Sequence, residues 1–175
     1  MTKIGITGGI GCGKSYVCNK FREQGYPVYD CDKEAKRLMV EDKFIISQIK
    51  QLVGYEAYLP DGTLNVPLLA KYLFQSPENQ TRLNLIVHPA VKDDFLRWAD
   101  RQTSDKVFIE SAILFEAGFR DVVDMVGFVS APLETRIQRI MKRDNTTREH
   151  AIEWISKQMP DEEKRKLADF VIENG

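Results

Sequence analysis

Gly8-Gly9-Ile10-Gly11-Cys12-Gly13-Lys14-Ser15 decides how this chain is read, because it satisfies G-x-x-x-x-G-K-[ST] in full. Lys3-Ile4-Gly5-Ile6-Thr7 precedes it as a short apolar run with the character of a buried strand. Residues 15–24 follow as a helical stretch closed by Gly25. Strand, glycine loop and helix in that order form the context that gives the pattern its meaning. Glycines let backbone N–H groups converge on a phosphate where side chains would collide. Lys14 is placed to reach β- and γ-phosphates, and the Ser15 hydroxyl to ligate Mg²⁺ held through those phosphates. The helix N-terminus adds a potential that favours an anion. A glycine-rich turn with a chance Lys-Ser is the plain alternative, and the flanking strand and helix argue against it.

The 175 residues suit one domain with room for an inserted sub-domain. A 43% hydrophobic and 29% charged composition is ordinary for a globular chain with a sizeable core. The net charge of -1 supplies no bulk attraction to nucleic acid or an anionic membrane, so any nucleotide affinity is local. No basic-then-apolar leader opens the chain, and no stretch has the length of a membrane span. Cys12, Cys18 and Cys31 are odd in number and lack metal-ligand spacing with either histidine, which fits a reduced cytoplasmic setting.

Further strands are expected at residues 26–29, 107–110, 125–129 and 170–172. Between the second and third, residues 33–102 read as mostly helical, with apolar positions such as Ile45, Ile49 and Leu52, then Leu68, Leu69, Tyr72 and Leu73. Pro60-Asp61-Gly62 marks a turn inside this block. Pro132 sits near the start of another helix, and Thr146 with Glu149 forms a capping box for the next. Short apolar strands alternating with helices predict an α/β fold, a parallel sheet covered on both faces. The 33–102 block is too long for one crossover helix and reads as an inserted substrate sub-domain. The core is then 1–32, 103–141 and 165–175. The polar stretch 142–164 suits a lid.

Other residue groups point to the same chemistry. Asp30 and Asp32, two apart at a strand end, are expected to point the same way into the ligand crevice. A carboxylate there can take a proton from a substrate hydroxyl or hold Mg²⁺ through water; Asp32 capping the next helix is the plainer reading. Arg136, Arg139 and Arg143 share a helix stripe, which serves either to neutralise charge on a transferred phosphoryl group or as a solvated basic face. His88-Pro89 falls between two helical patterns, where a histidine commonly caps or packs. Leu114 and Glu116 follow the third strand at the crevice edge; Leu114 suits a core and Glu116 has less reason to be buried.

Together these pieces resemble the dephospho-coenzyme A kinase family. The resemblance rests on residues 4–15, then Val28-Tyr29-Asp30-Cys31-Asp32, Asp61-Gly62, His88-Pro89 and Leu114-Phe115-Glu116-Ala117-Gly118. It continues through Arg143-Asp144, Gln158-Met159-Pro160 and residues 168–175, and so covers essentially the whole chain. It implies a P-loop NTPase-type fold with a parallel five-stranded sheet flanked by helices, an inserted helical acceptor region and a helical lid. The implied reaction is ATP-dependent phosphorylation of the ribose 3′-hydroxyl of dephospho-coenzyme A, the last step of coenzyme A synthesis, with Mg²⁺. Asp32 would be the base, and Lys14 and Arg143 would contact the phosphates. Gly9, Gly11, Cys12, Gly13, Lys14, Ser15, Tyr16 and Asn174 would bind ATP, with Asn174 near its adenine. Asp32, His88, Leu114 and Glu116 would lie on the acceptor side. A cytoplasmic monomer or small homo-oligomer is implied.

Cys12 and Tyr16 stand where the family usually has Ser or Ala and Thr; neither change removes a phosphate N–H. Glu110-Ser111-Ala112-Ile113 replaces a proline-rich strand end, and the family normally continues into a C-terminal helix. The rivals are another small-metabolite kinase, resembling shikimate kinase or a nucleoside kinase, and a nucleotide-binding switch without transfer activity. The first would not need so large an inserted block, and no switch signature is evident for the second. In a steady-state assay, Lys14→Ala is expected to lower turnover by on the order of 10²-fold or more with the fold intact. Near-normal turnover would exclude the phosphate-loop assignment.

Overall fold

The structure is a computed structural model describing residues 1–175. Three strands are apolar and buried along nearly their whole length: β1 (Thr2–Thr7), β3 (Lys106–Glu110) and β4 (Met125–Ser130). A strand buried on both faces belongs in the middle of a covered parallel sheet. The two strands with interrupted burial, β2 (Val28–Asp30) and β5 (Phe170–Glu173), take the edges. The order is β2-β3-β1-β4-β5, and every pairing is parallel. Each predicted strand is present within a residue or two of its expected limits.

The helices are α1 (Lys14–Glu23), α2 (Cys31–Glu41), α3 (Lys43–Val53), α4 (Val66–Gln75) and α5 (Pro77–Asp100). After β4 come α6 (Leu133–Asp144), α7 (Arg148–Ser156) and α8 (Asp161–Leu167). None is long and apolar enough to cross a membrane. The chain divides into two compact units, Met1–Asp30 with Trp98–Gly175, and Cys31–Arg97.

In the first unit α1 closes one sheet face. Ile4 and Ile6 of β1 and Phe108 of β3 pack with Val17 and Cys18 of α1, with Cys12 of the loop and with Val129 of β4. Phe21 stacks on Phe108 with ring centroids 4.1 Å apart, and Tyr26 meets the same ring edge-on at 5.6 Å. In the second unit Tyr58 donates its hydroxyl to the Met39 carbonyl at 2.5 Å, and Arg37 bridges Glu34 and Asp94. The predicted turn is a tight hairpin: Gly62 has φ 89°, and the Asp61 carboxylate takes both the N–H and the hydroxyl of Thr63.

Three local expectations are corrected. β2 ends at Asp30 and α2 begins at once, so Asp32 lies in the first helical turn. The two-residue strand alternation stops before it can align Asp30 with Asp32. Second, α5 runs unbroken through His88-Pro89. Its buried stripe Leu83, Val87, Val91, Phe95 and Ala99 repeats every four residues across the proline. Pro89 is exposed, and the carbonyl it leaves without a donor, four residues back, belongs to exposed Leu85, where water can substitute. Third, the cap of α7 is Thr147, whose hydroxyl accepts from His150 N at 3.2 Å, one residue later than the capping box proposed.

Phe108 is 4% exposed between two aromatic partners. Phe108→Ala is expected to lower unfolding free energy by about 3–5 kcal/mol in denaturant titration. Phe44→Ala, at a ring 67% exposed, should change it by under about 0.5 kcal/mol.

Candidate active site

The glycine loop turns from the end of β1 into α1 through two residues with left-handed backbone, Gly11 (φ 81°) and Gly13 (φ 83°). A Cβ at Gly11 would lie 2.7 Å from the Arg136 carbonyl oxygen, and one at Gly13 would strike the Asn174 side-chain amide. Conformation and crowding therefore both demand glycine at these positions.

At the helix start, Lys14 Nζ lies 3.3 Å and Ser15 Oγ 2.8 Å from the same oxygen, Oε1 of Glu110. Arg22 Nη2 approaches the other carboxylate oxygen at 3.7 Å. The position of Glu110 follows from sheet register: it pairs with Ile6 at the end of β3, beside the strand that feeds the loop. It is 5% exposed, a burial that a carboxylate sustains only with such partners. Cys18, one turn after Ser15, gives its thiol to the same carboxylate; burial first and then Glu110 push that thiol up to about 12, so it stays protonated. Burial likewise raises the Cys12 thiol, against the opposing pull of Lys14 and Arg136. Cys12, Cys18 and Cys31 are all buried, and none forms a disulfide.

The chain after β4 meets the loop as well. Arg136 of α6 is 3% exposed, which excludes the solvated-face reading for it. Its Nη1 pairs with Asp161 of α8 at 2.6 Å. Gln158 Oε1 accepts from the Ile10 N–H at 2.8 Å. Ala151, Trp154 and Ile155 of α7 pack against Ile137, Ile140 and Met141 of α6 and reach Ile10. Such apolar contacts explain why a segment so polar in sequence is ordered over the loop.

A family model described as dephospho-CoA kinase matches residues 2–175. The chain belongs to the dephospho-CoA kinase family. A dephospho-CoA kinase of Bacteroides fragilis is 46% identical over 173 residues, spanning 98% of this chain and 84% of that protein. A crystal structure from Thermus thermophilus has TM-score 0.85 at 38% identity, covering 99% of this chain and 88% of its own. The dephospho-CoA kinase of Campylobacter jejuni has TM-score 0.70 at 25% identity, covering 98% of this chain and 87% of its own. As a member of the dephospho-CoA kinase family the chain is a transferase of coenzyme A biosynthesis, with ATP as phosphoryl donor and dephospho-CoA as acceptor. The shikimate-kinase-like, nucleoside-kinase-like and switch readings are not favoured.

In this member of the dephospho-CoA kinase family, Gly9, Gly11, Cys12, Gly13, Lys14 and Ser15 lie together in the loop, with Asn174 against its carbonyls. Tyr16 is 58% exposed, with Lys20 Nζ 4.6 Å from its ring centroid. Leu114 is fully buried; its Cδ1 lies 2.5 Å from where a Cβ on Gly5 would be, so it packs on β1. Glu116 pairs at 3.4 Å with Lys164, a fully buried lysine that also donates to the Ala112 carbonyl at 2.9 Å. Arg143 is 59% exposed, with its guanidinium on Asp144 through bonds of 3.0 and 2.9 Å. Asp32 and His88 belong to the second unit. Asp32 is exposed in the first turn of α2, while burial, helped by Lys92, lowers the His88 pKa and favours its neutral form.

The sequence assigned no role to Glu110 or Gln158, and it offered Arg136 and Arg139 only as phosphate-neutralising or solvated residues, whereas they meet the loop carbonyls. A lone acid ending an apolar strand was the available signal for Glu110. Nothing local marks Gln158. Glu110→Gln keeps shape and hydrogen bonding but removes the charge that gathers Lys14 and Arg22. It is expected to lower kcat/KM for ATP by about 10- to 100-fold while the protein stays folded by circular dichroism. Unchanged kinetics would reduce Glu110 to a packing residue.

Proposed function

We propose that this chain transfers the γ-phosphoryl group of ATP to the ribose 3′-hydroxyl of dephospho-coenzyme A, with the glycine loop as donor cradle and Asp32 as base. The observation that carries the reading is the convergence of Lys14 Nζ and Ser15 Oγ on Glu110 at the start of α1, where loop and helix N-terminus attract an anion. Ligand crevices of open parallel sheets lie at this carboxyl end of the strands.

In the proposed reaction the Asp32 carboxylate accepts the proton of the 3′-hydroxyl. The freed oxygen bonds to the γ-phosphorus, the bond from that phosphorus to the bridging oxygen breaks, and ADP leaves with the electron pair. Lys14 neutralises charge on the β- and γ-phosphates. Arg143 adds a second positive charge after exchanging Asp144 for phosphate, in a lid spanning residues 142–164.

The Ser15 hydroxyl and Glu110 carboxylate are 2.8 Å apart and offer only oxygen donors, a set that fits a hard cation. In the proposed site Ser15 and Glu110 would hold Mg²⁺, which would offset phosphate charge. Gly9, Gly11, Cys12, Gly13, Tyr16 and Asn174 complete the proposed ATP contacts. In this proposal the acceptor's long pantetheine arm accounts for the inserted block 33–102, and His88, Leu114 and Glu116 are assigned to the acceptor, with His88 given to its adenylate part. Binding energy from the arm, remote from the reacting hydroxyl, helps to position that hydroxyl. The proposal includes a cytoplasmic enzyme, monomeric or a small homo-oligomer, with no nucleic-acid partner.

Initial rates with dephospho-coenzyme A, adenosine and AMP under one ATP and Mg²⁺ condition test this assignment. Dephospho-coenzyme A should give much the highest kcat/KM, and Asp32→Asn should lower its turnover by about 10²- to 10⁴-fold while ADP binding persists. Equal rates with adenosine would turn the reading towards a general nucleoside kinase. Loss of ADP binding with transfer retained would make Asp32 a metal or structural residue.

A further inference from the structure

Four consecutive carbonyls of the loop end on side-chain donors. Arg136 Nε donates to Ile10 O at 3.0 Å, and Arg139 Nη1 donates to Gly11 O at 3.3 Å and Cys12 O at 3.1 Å. Asn174 Nδ2 donates to Cys12 O at 3.0 Å and Gly13 O at 3.4 Å. No peptide bond in the chain is cis. In a trans peptide the N–H points opposite to the C=O of the preceding residue. The amides of Gly11, Cys12, Gly13 and Lys14 are therefore turned away from these donors. Cys12 N–H is used within the loop, on Gly9 O at 3.1 Å. The Lys14 N–H faces the Cys12 thiol, and Gly11 and Gly13 keep theirs for an anion.

The donors are themselves held. Asp161 fixes Arg136, and Arg139 Nη2 donates to the main-chain oxygen of Asn174 at 2.7 Å, so Arg139 and Asn174 lock each other. A planar guanidinium can serve three carbonyls at once from a rigid fork; an ammonium on a flexible stem cannot.

We propose that Arg139, with Arg136 and Asn174, is a positioning residue for the phosphoryl donor, setting the peptide planes of the loop from its carbonyl side so that its amides converge on phosphate. This role differs from the phosphate contact considered for the arginine stripe, and it rests on the reading of the loop as the ATP cradle.

Arg139→Lys in the full chain keeps the charge and removes the fork. ADP is the probe, measured by titration calorimetry, with dephospho-coenzyme A as the parallel ligand. The variant should bind ADP about 10- to 100-fold more weakly, as expected for lost charge-assisted hydrogen bonds, and raise KM for ATP, with dephospho-coenzyme A affinity unchanged. The Gly11 and Gly13 amide resonances of the nucleotide-free variant should shift in ¹⁵N spectra. If Arg139→Lys does not fold, Arg139→Gln is measured in the same way. Unaltered ADP affinity overturns the proposal, as does an equal loss for both ligands. Weaker ADP binding with Gly11 and Gly13 amides in place also overturns it, because Arg139 would then contact phosphate directly. Failure of the unaltered protein to bind ADP would instead remove the cradle reading itself.

Discussion

A backbone that aims its amides at an anion must aim its carbonyls elsewhere, and in a folded protein those carbonyls need donors. This constraint organises the first unit. The loop itself supplies glycines at 11 and 13 and the turn between Gly9 and Cys12. Everything behind it comes from more than a hundred residues later in the chain: Arg136 and Arg139 on α6, Asn174 just past β5. Those elements arrive because β4 pairs with β1 and β5 with β4. Sheet order is thus a condition of the loop's shape.

Glu110 stands on the opposite flank by the same logic. β3 pairs with β1 on its other side and ends at a carboxylate beside the start of α1. Burial of this charge is not itself stabilising, since desolvation offsets much of the attraction to Lys14 and Arg22. Its consequence is specificity: the Lys14 ammonium and Ser15 hydroxyl are held at one oxygen rather than left to sample solvent. In the proposed function a nucleotide would then meet groups already gathered. The same holds for Lys164, fully buried yet satisfied by Ala112 and Glu116, which ties α8 to the segment after β3.

Segment 142–164 reads as polar, yet it carries its own small core in Ala151, Trp154 and Ile155 and reaches the loop through Gln158 and, by way of Arg136, through Asp161. An element that both packs and hydrogen-bonds against a ligand loop can report on the loop's state while remaining ordered.

The fold class, the order of strands along the chain, the glycine turn between β1 and α1 and the family were all legible in the sequence, because each depends on local pattern: apolar runs, glycines at fixed spacing, a Lys-Ser pair entering a helix. The helix through Pro89 and the immediate start of α2 were not, since a four-residue buried stripe and a strand's end are settled by packing rather than by the residues on either side. Nor were the roles of the arginines. Residues 136, 139 and 143 share a helix stripe, but burial puts Arg136 under the loop, Arg139 crosses to Asn174, and Arg143 stays with Asp144 in solvent. Helical spacing shows which side chains lie on one face; only the position of α6 in the tertiary structure decides what each of them meets, because the partners are backbone carbonyls that no side-chain pattern marks.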